Sequence, residues 1–203
     1  MPLQSRVSPF GNLFASPARG TMMGNRGGRI HDIARQLGTR RWASKQWICC
    51  VLDFKGRQRS VWGDSYTELF FLDEVTALAA GHRPCFECRR KDAERFAECW
   101  RKAQKLPTRP RAPEMDIVLH AERLDGRNKR THRRKLDDLP DGAMIALGEV
   151  AFAVRGRSLL RWTPQGYAAP EKCTRGGMID VLTPPAVVKV LAEEFVPKWH
   201  SSA

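Results

Sequence analysis

The sequence of 203 residues contains no long hydrophobic run, and this absence excludes a membrane-spanning protein. No apolar segment approaches the roughly 18 to 20 residues that a helix needs to cross a bilayer. Residues 1–28 also lack the apolar stretch of a secretory signal, and Pro2, Pro9 and Pro17 oppose the amphipathic helix of a transit peptide. We therefore expect a cytoplasmic protein.

Acidic residues are scarce relative to basic ones. The chain has 22 Asp and Glu against 35 Lys and Arg, which gives a formal net charge of +13. The hydrophobic content of 42% is that of a globular chain, so the excess charge belongs to a folded surface. Such a surface favours a polyanionic partner, either nucleic acid or an anionic membrane face. Of these two we expect nucleic acid and no membrane partner.

The pattern of breaks and apolar runs predicts an α+β fold in two parts. Residues 1–28 are rich in Gly, Pro and Ser and are expected to form a flexible basic arm. Residues 29–106 form the first domain, and residues 107–113, with three prolines, form a stiff linker. Residues 114–203 are expected to form a small antiparallel β-rich domain with a C-terminal helix.

Local patterns predict the individual elements. Asp73 is a good N-cap for a short helix, and an apolar stripe that includes Phe96 and Trp100 predicts a longer helix over residues 91–105. Thr183 followed by Pro184 predicts the start of the closing helix. The predicted strands are residues 46–53 and 59–62, paired as a hairpin, and residues 66–72, 115–119, 143–147, 150–154 and 159–163.

The strongest chemical signal is Cys85-Phe86-Glu87-Cys88. Cysteines of a cytoplasmic protein are reduced, so the question is one of metal binding or catalysis rather than of disulfides. Two thiols at C-x-x-C spacing can reach one tetrahedral Zn²⁺, and the neighbouring arginines favour the thiolate form. A redox pair, or two thiols without a function, are the alternatives that the spacing leaves open.

Residues 77–89, which read A-L-A-A-G-H-R-P-C-F-E-C-R, resemble the Ada-type metal-binding module. Residues 24–31 look like the opening of related zinc-binding segments. The resemblance implies that residues 29–106 form an Ada-like zinc domain in which Cys85 and Cys88 are the second ligand pair. It also implies contact with DNA rather than RNA, in DNA repair or DNA processing. The family's C-x-x-x-C first pair is missing, so the resemblance does not extend to the methyl-transfer reaction.

The first ligand pair would have to come from Cys49 and Cys50. Neighbouring residues on a strand point to opposite faces, so only one of these two thiols is expected to reach the metal. The fourth ligand is then His31, His82, Cys99 or a water molecule.

Basic residues beside aromatic ones suggest where nucleic acid binds. Arg40 and Arg41 precede Trp42, and residues 123–135 carry seven Lys and Arg residues. The candidate phosphate contacts are Arg83, Arg89, Arg90, Arg40, Arg41, Arg127, Lys129, Arg130, Arg133 and Arg134.

We expect a zinc-binding, nucleic-acid-binding protein, with two alternatives. The first is a metal-dependent enzyme that acts on nucleic acid. It would be an alkyl-transfer repair protein, or a nuclease that uses His120 and Glu122 from one face of a strand. The second is a protein-interaction adaptor.

Overall fold

The computed structural model describes residues 2–57, 60–172 and 176–203, and it confirms the α+β class. The helices are α1 (Glu74–Ala79), α2 (Arg90–Ala103), α3 (Ala112–Arg123) and α4 (Pro185–Ala192), with a 3₁₀ turn at Leu136–Asp138. The strands are β1 (Arg6–Val7), β2 (Leu13–Phe14), β3 (Met22–Arg26), β4 (Trp47–Cys50), β5 (Leu69–Phe71), β6 (Arg83–Pro84), β7 (Leu124–Asp125), β8 (Asn128–Lys129), β9 (His132–Lys135), β10 (Met144–Leu147), β11 (Val150–Arg155), β12 (Ser158–Thr163), β13 (Gly166–Tyr167), β14 (Glu171–Lys172) and β15 (Met178–Val181). None of the helices in these ranges is both long and apolar enough to cross a membrane.

The first sheet has six strands in the order β2-β1-β5-β3-β4-β6. Three of them come from the first 28 residues, where a flexible arm was expected. Strand β3 pairs antiparallel with both β4 and β5, and Val7 and Met22 are buried. The partner strands β4 and β5 lie far along the chain from β3, so no local pattern in residues 1–28 could predict these two pairings.

The second sheet confirms the β-rich character of the C-terminal half. Its strands run antiparallel in the order β13-β12-β11-β10-β15-β9, with β14 paired to β12. Helix α4 closes this half, as expected, but it begins at Pro185 with Pro184 at its N-cap. One hydrophobic cluster joins Phe96 and Trp100 of α2 to Met115 of α3 and Val187 of α4. The hydrophobic core therefore contains residues from both sides of the predicted linker, residues 107–113.

The two helices predicted from capping and from the apolar stripe are confirmed. Asp73 Oδ1 accepts the backbone N–H of Thr76 at 2.9 Å, so its side chain caps α1 as expected. Phe96, Ala97 and Trp100 are buried on one side of α2. The N-cap and the apolar stripe each involve residues of a single helix, so both helices could be predicted without knowledge of the rest of the chain.

The predicted strand over residues 115–119 is wrong, because these residues lie in α3. Pro113 occupies the first turn of that helix, where its missing N–H costs no hydrogen bond. Met115 and Leu119 are both buried, as two residues four apart on one helix face would be. The predicted hairpin is also wrong, since β4 pairs with β3 and β6. Arg59, the first residue of its second arm, lies outside the described residues.

Two arginines beside the cysteine motif are buried in ion pairs. Arg83 donates from Nε and Nη2 to the two carboxylate oxygens of Asp116, at 2.9 and 2.8 Å. Arg89 Nη2 lies 2.7 Å from Glu74 Oε1 and 2.8 Å from Asp92 Oδ2. Their side chains are 1% exposed, so the expectation that they contact phosphates is corrected. These pairs attach β6 to α3, and α1 to the start of α2.

We expect the substitution Asp116→Asn to destabilise the fold by about 3–5 kcal/mol, because it leaves the buried Arg83 without a counter-charge. Urea unfolding followed by circular dichroism measures the free energy of unfolding. Glu94→Gln is the control, because it breaks the exposed Arg90–Glu94 pair and should cost no more than about 1 kcal/mol. Equal losses in the two variants would contradict a structural role for the buried pair.

Candidate metal centre

The turn between β6 and α2 carries Cys85 and Cys88 and is held by backbone hydrogen bonds. Strand β6 pairs in parallel with β4, and the N–H of Cys85 donates to the carbonyl of Cys49 at 3.0 Å. At its other end, the N–H of Arg89 donates to the carbonyl of Cys85 at 3.0 Å and leads into α2. The β4–β6 pairing thus places the C-x-x-C turn beside the end of β4, where Cys50 lies.

Three thiols, those of Cys50, Cys85 and Cys88, form a cluster at this place. Their sulfur atoms all lie within 4.8 Å of one another. Cys50 and Cys85 are buried and Cys88 is partly exposed. Tetrahedral zinc with Zn–S bonds of about 2.3 Å separates its sulfurs by about 3.8 Å, so the arrangement suits such an ion. The thiol cluster can hold a metal ion.

Cys49, named as a candidate ligand from the sequence, lies outside the thiol cluster. Its side chain leaves the opposite face of β4, is fully buried, and accepts a hydrogen bond of 3.5 Å from Arg89 Nη1. Burial raises the pKa of the Cys49 thiol, so it stays protonated at neutral pH. The alternation of side chains along a strand explains why only one of the two neighbours joins the cluster.

Hydrogen bonds among the thiols favour the ionised form of Cys85. Donation from Cys50 and Cys88 lowers the pKa of Cys85, and the backbone N–H of Glu87 adds a contact of 3.4 Å to its sulfur. The same hydrogen bond to Cys85 raises the pKa of Cys50. A divalent cation would displace the remaining protons, because thiolates are the metal ligands. Metal binding should therefore strengthen as the pH rises.

The protein side chains proposed as fourth ligand, those of His31, His82 and Cys99, all lie outside the thiol cluster. His31 contacts Thr67 Oγ1 through Nδ1 at 2.6 Å and the carbonyl of Gly63 through Nε2 at 2.9 Å. His82 is buried beside the rings of Trp47 and Phe71. Cys99 donates to the carbonyl of Glu193 at 3.2 Å. Within the described ranges no fourth His, Cys, Asp or Glu joins the thiol cluster.

The thiol cluster borders a cavity of about 270 Å³, which we call the thiol cavity. Its walls are mostly apolar, with a few polar side chains that include Asn25 and Glu68. Glu68 is 3% exposed, and its Oε2 accepts the N–H of Trp62 at 2.8 Å. Its Oε1 is buried without a hydrogen-bond partner. Neither polar residue was predicted as part of a site: Asn25 lies within residues 24–31, which look like the opening of zinc-binding segments, and Glu68 belongs to no recognisable motif.

The other candidate phosphate contacts differ in their surroundings. Arg90 is exposed and paired with Glu94, and Lys129 is half-buried, with its ammonium group donating to the carbonyl of Ala79. The exposed positions are Arg40, Arg41, Arg127, Arg130, Arg133 and Arg134. The basic surface, defined as these six arginines, keeps its charge available to solvent.

The residues proposed for a nuclease site do not converge. His120 and Glu122 lie on helix α3 instead of a strand, so they do not share a face. His120 Nδ1 lies 3.0 Å from Arg123 Nη2, while Glu122 Oε2 accepts the N–H of Ala186 at 2.8 Å. The remaining cysteine, Cys173, lies outside the described residues.

Comparison of the chain with protein-family models, with curated proteins and with solved structures gave no match. The function proposed below therefore depends on the geometry, the charge and the sequence motif of the chain itself.

We expect Cys50→Ser to abolish stoichiometric metal binding, whereas Cys49→Ser should retain it. The two cysteines are neighbours, but only Cys50 contributes its sulfur to the thiol cluster. Serine is similar in size and a much weaker ligand for soft metals. Elemental analysis of the purified variants measures the metal per chain. Full metal content in Cys50→Ser, or its loss in Cys49→Ser, would contradict the assignment of ligands.

Proposed function

We propose that the protein binds zinc through Cys50, Cys85 and Cys88 and binds nucleic acid through its basic surface. The observation that carries the first half is the convergence of three thiols from two separate segments within 4.8 Å. The second half is supported by the net charge of +13 and by the exposed arginines defined above. The Ada-like motif around Cys85 and Cys88 makes DNA the preferred partner, in repair or processing.

Zinc is the preferred metal because all three donors are thiolates. Soft sulfur ligands select zinc, copper(I) or iron–sulfur clusters over hard cations such as magnesium and calcium. The surroundings of the cluster also favour a structural ion. It joins β4 to the turn before α2, so the free energy of metal binding adds to the free energy of folding.

The basic surface supports binding through phosphates. Arg133 and Arg134 lie on the edge strand β9, and Arg130 lies at the end of the β7–β8 ribbon. Arg40 and Arg41 lie next to the half-buried Trp42, whose ring can stack on a base. Arginine suits phosphate because its planar fork donates two parallel hydrogen bonds.

We expect DNA affinity to fall steeply with salt, by roughly 40-fold between about 50 and 200 mM for a surface that neutralises about three phosphates. The double variant Arg133→Gln/Arg134→Gln should bind more weakly and show a shallower salt dependence. Fluorescence anisotropy with labelled single- and double-stranded DNA measures both quantities. The control Arg19→Gln/Arg157→Gln removes the same charge from exposed positions outside the basic surface. Salt-independent affinity, or equal effects of the two double variants, would contradict the proposed surface.

A second candidate function, a metal-dependent enzyme acting on nucleic acid, is favoured by the thiol cavity. Zinc held by three protein ligands keeps one position for water and lowers the pKa of that water. The thiol cluster and the carboxylate of Glu68 line the same cavity. Glu68 Oε1, buried and without a partner, can accept a proton there as a general base. The enzyme role therefore requires the carboxylate of Glu68 as a base, whereas the binding role does not.

Under the enzyme role we expect Glu68→Gln to keep its metal and lose about 100-fold or more of any zinc-dependent turnover of a nucleic-acid substrate. The amide still accepts the hydrogen bond from Trp62, so the fold should be retained. Glu87→Gln is the control, since Glu87 also lines the cavity but is exposed and paired with Arg57. Turnover that Glu68→Gln leaves unchanged would exclude the general-base role.

A further inference from the structure

A second cavity, of about 270 Å³, is lined by five basic side chains and no carboxylate. They are Arg26, Arg41, Arg123, Arg127 and Lys129. They come from β3, from the loop before β4, from the end of α3 and from the β7–β8 ribbon. We call this cavity the cation pocket. It contains none of the cysteines and is separate from the thiol cavity.

Two of the cations are almost completely removed from solvent. Arg26 is 2% exposed and Arg123 is 1% exposed. Their guanidinium carbons lie 4.0 and 3.8 Å from the ring centroid of Trp47, so one indole orients both groups. Arg123 Nε is buried and has no hydrogen-bond partner.

The cations of the pocket are held by neutral groups. Arg26 Nη2 donates to the carbonyl of Gly11 at 2.7 Å, and Arg123 Nη1 donates to that of Gly81 at 2.9 Å. Across the described residues, none of the five basic side chains forms an ion pair within 4.0 Å of a carboxylate. Asp116, which attracts Arg123 electrostatically, is bound bidentately to Arg83.

This arrangement costs free energy in the absence of an anion. Burial, with repulsion from Arg41, lowers the pKa of Arg26 to about 9. Burial, with repulsion from Arg26, lowers the pKa of Arg123 likewise to about 9. Burial and both arginines lower the pKa of Lys129 to about 7. A bound anion would relieve that repulsion, and strongly perturbed groups around a cavity are typical of functional sites.

The pocket continues into a site suited to a nucleic-acid strand. A neighbouring cavity of about 310 Å³ is lined by Thr39 and Arg40 and shares Arg41, Trp42 and Arg127 with the cation pocket. Trp42 is half-buried, so part of its ring can stack on a base. A phosphate inside the pocket would thus be followed by an aromatic surface and by further arginines.

We propose that the cation pocket binds the terminal phosphate of a nucleic-acid strand, a phosphomonoester dianion. A dianion compensates several buried cations better than the single charge of a backbone diester, and guanidinium forks fit phosphate oxygens. The inference depends on the nucleic-acid binding proposed above and adds the chemical group that is recognised and the place where it binds. Zinc at the thiol cluster takes no part in it.

The test uses the full chain with its metal and a single-stranded DNA of about 12 nucleotides carrying an internal fluorophore. Three forms are compared at about 150 mM salt, with a 5′-phosphate, with a 3′-phosphate, or with hydroxyl groups at both ends. We expect one phosphorylated form to bind at least about tenfold more tightly than the hydroxyl form. Inorganic phosphate alone should compete only at far higher concentration, because it lacks the strand.

Two variants and a control identify the site. Lys129→Gln removes a half-buried cation, and Arg127→Gln removes an exposed one. Both should reduce the ratio of affinities for the phosphorylated and hydroxyl forms towards one. Arg157→Gln removes the same charge from the turn between β11 and β12, and it should leave the ratio unchanged.

The outcomes separate this inference from the function on which it depends. If all three DNA forms bind equally and in a salt-sensitive way, nucleic-acid binding stands and the terminal-phosphate site is overturned. If no DNA form binds, both are overturned. Inorganic phosphate that binds as tightly as the phosphorylated strand would make free phosphate the ligand and overturn the recognition of a strand end.

Discussion

The candidate metal centre depends on two buried arginines that hold the C-x-x-C turn from both sides. Arg83, just before the turn, is bound bidentately to Asp116 of α3. Arg89, just after it, lies 2.7 Å from Glu74 of α1. A buried charge that loses its partner is strongly unfavourable, so these pairs fix the ends of the turn in one place. The thiols of Cys85 and Cys88 are thereby directed towards Cys50 before any metal arrives.

Much of the local structure could be predicted from the sequence. Asp73 caps its helix, the stripe with Phe96 and Trp100 is buried, and the short apolar runs of the C-terminal half form antiparallel strands. The alternation along β4 also indicated that only one of Cys49 and Cys50 would reach the metal, while the pairing of that thiol with Cys85 and Cys88 was an implication of the Ada resemblance. The patterns of the helices, of the strands and of β4 use residues a few positions apart, where backbone geometry fixes which side chains share a face.

What could not be predicted depends on partners that are distant in sequence. Arg83 and Arg89 looked like surface cations because Asp116 and Glu74 stand outside the motif. The N-terminal strands looked like a loop because β3 finds its neighbours only in β4 and β5. Arg26 was not predicted as a site residue, since residues from distant parts of the chain must meet to build the cation pocket.

The register of β3 and β4 explains how one small sheet carries two sites. Asn25 lines the thiol cavity with Cys50, while Arg26 and Trp47 line the cation pocket. Arg26 is directly opposite Trp47, and successive residues on a strand face opposite sides, so the sheet separates the two cavities. The sites are nevertheless linked through β4, because Trp47 and Cys50 are three residues apart on that strand. A metal ion at the thiol cluster and an anion in the cation pocket would therefore lie on opposite faces of the same sheet.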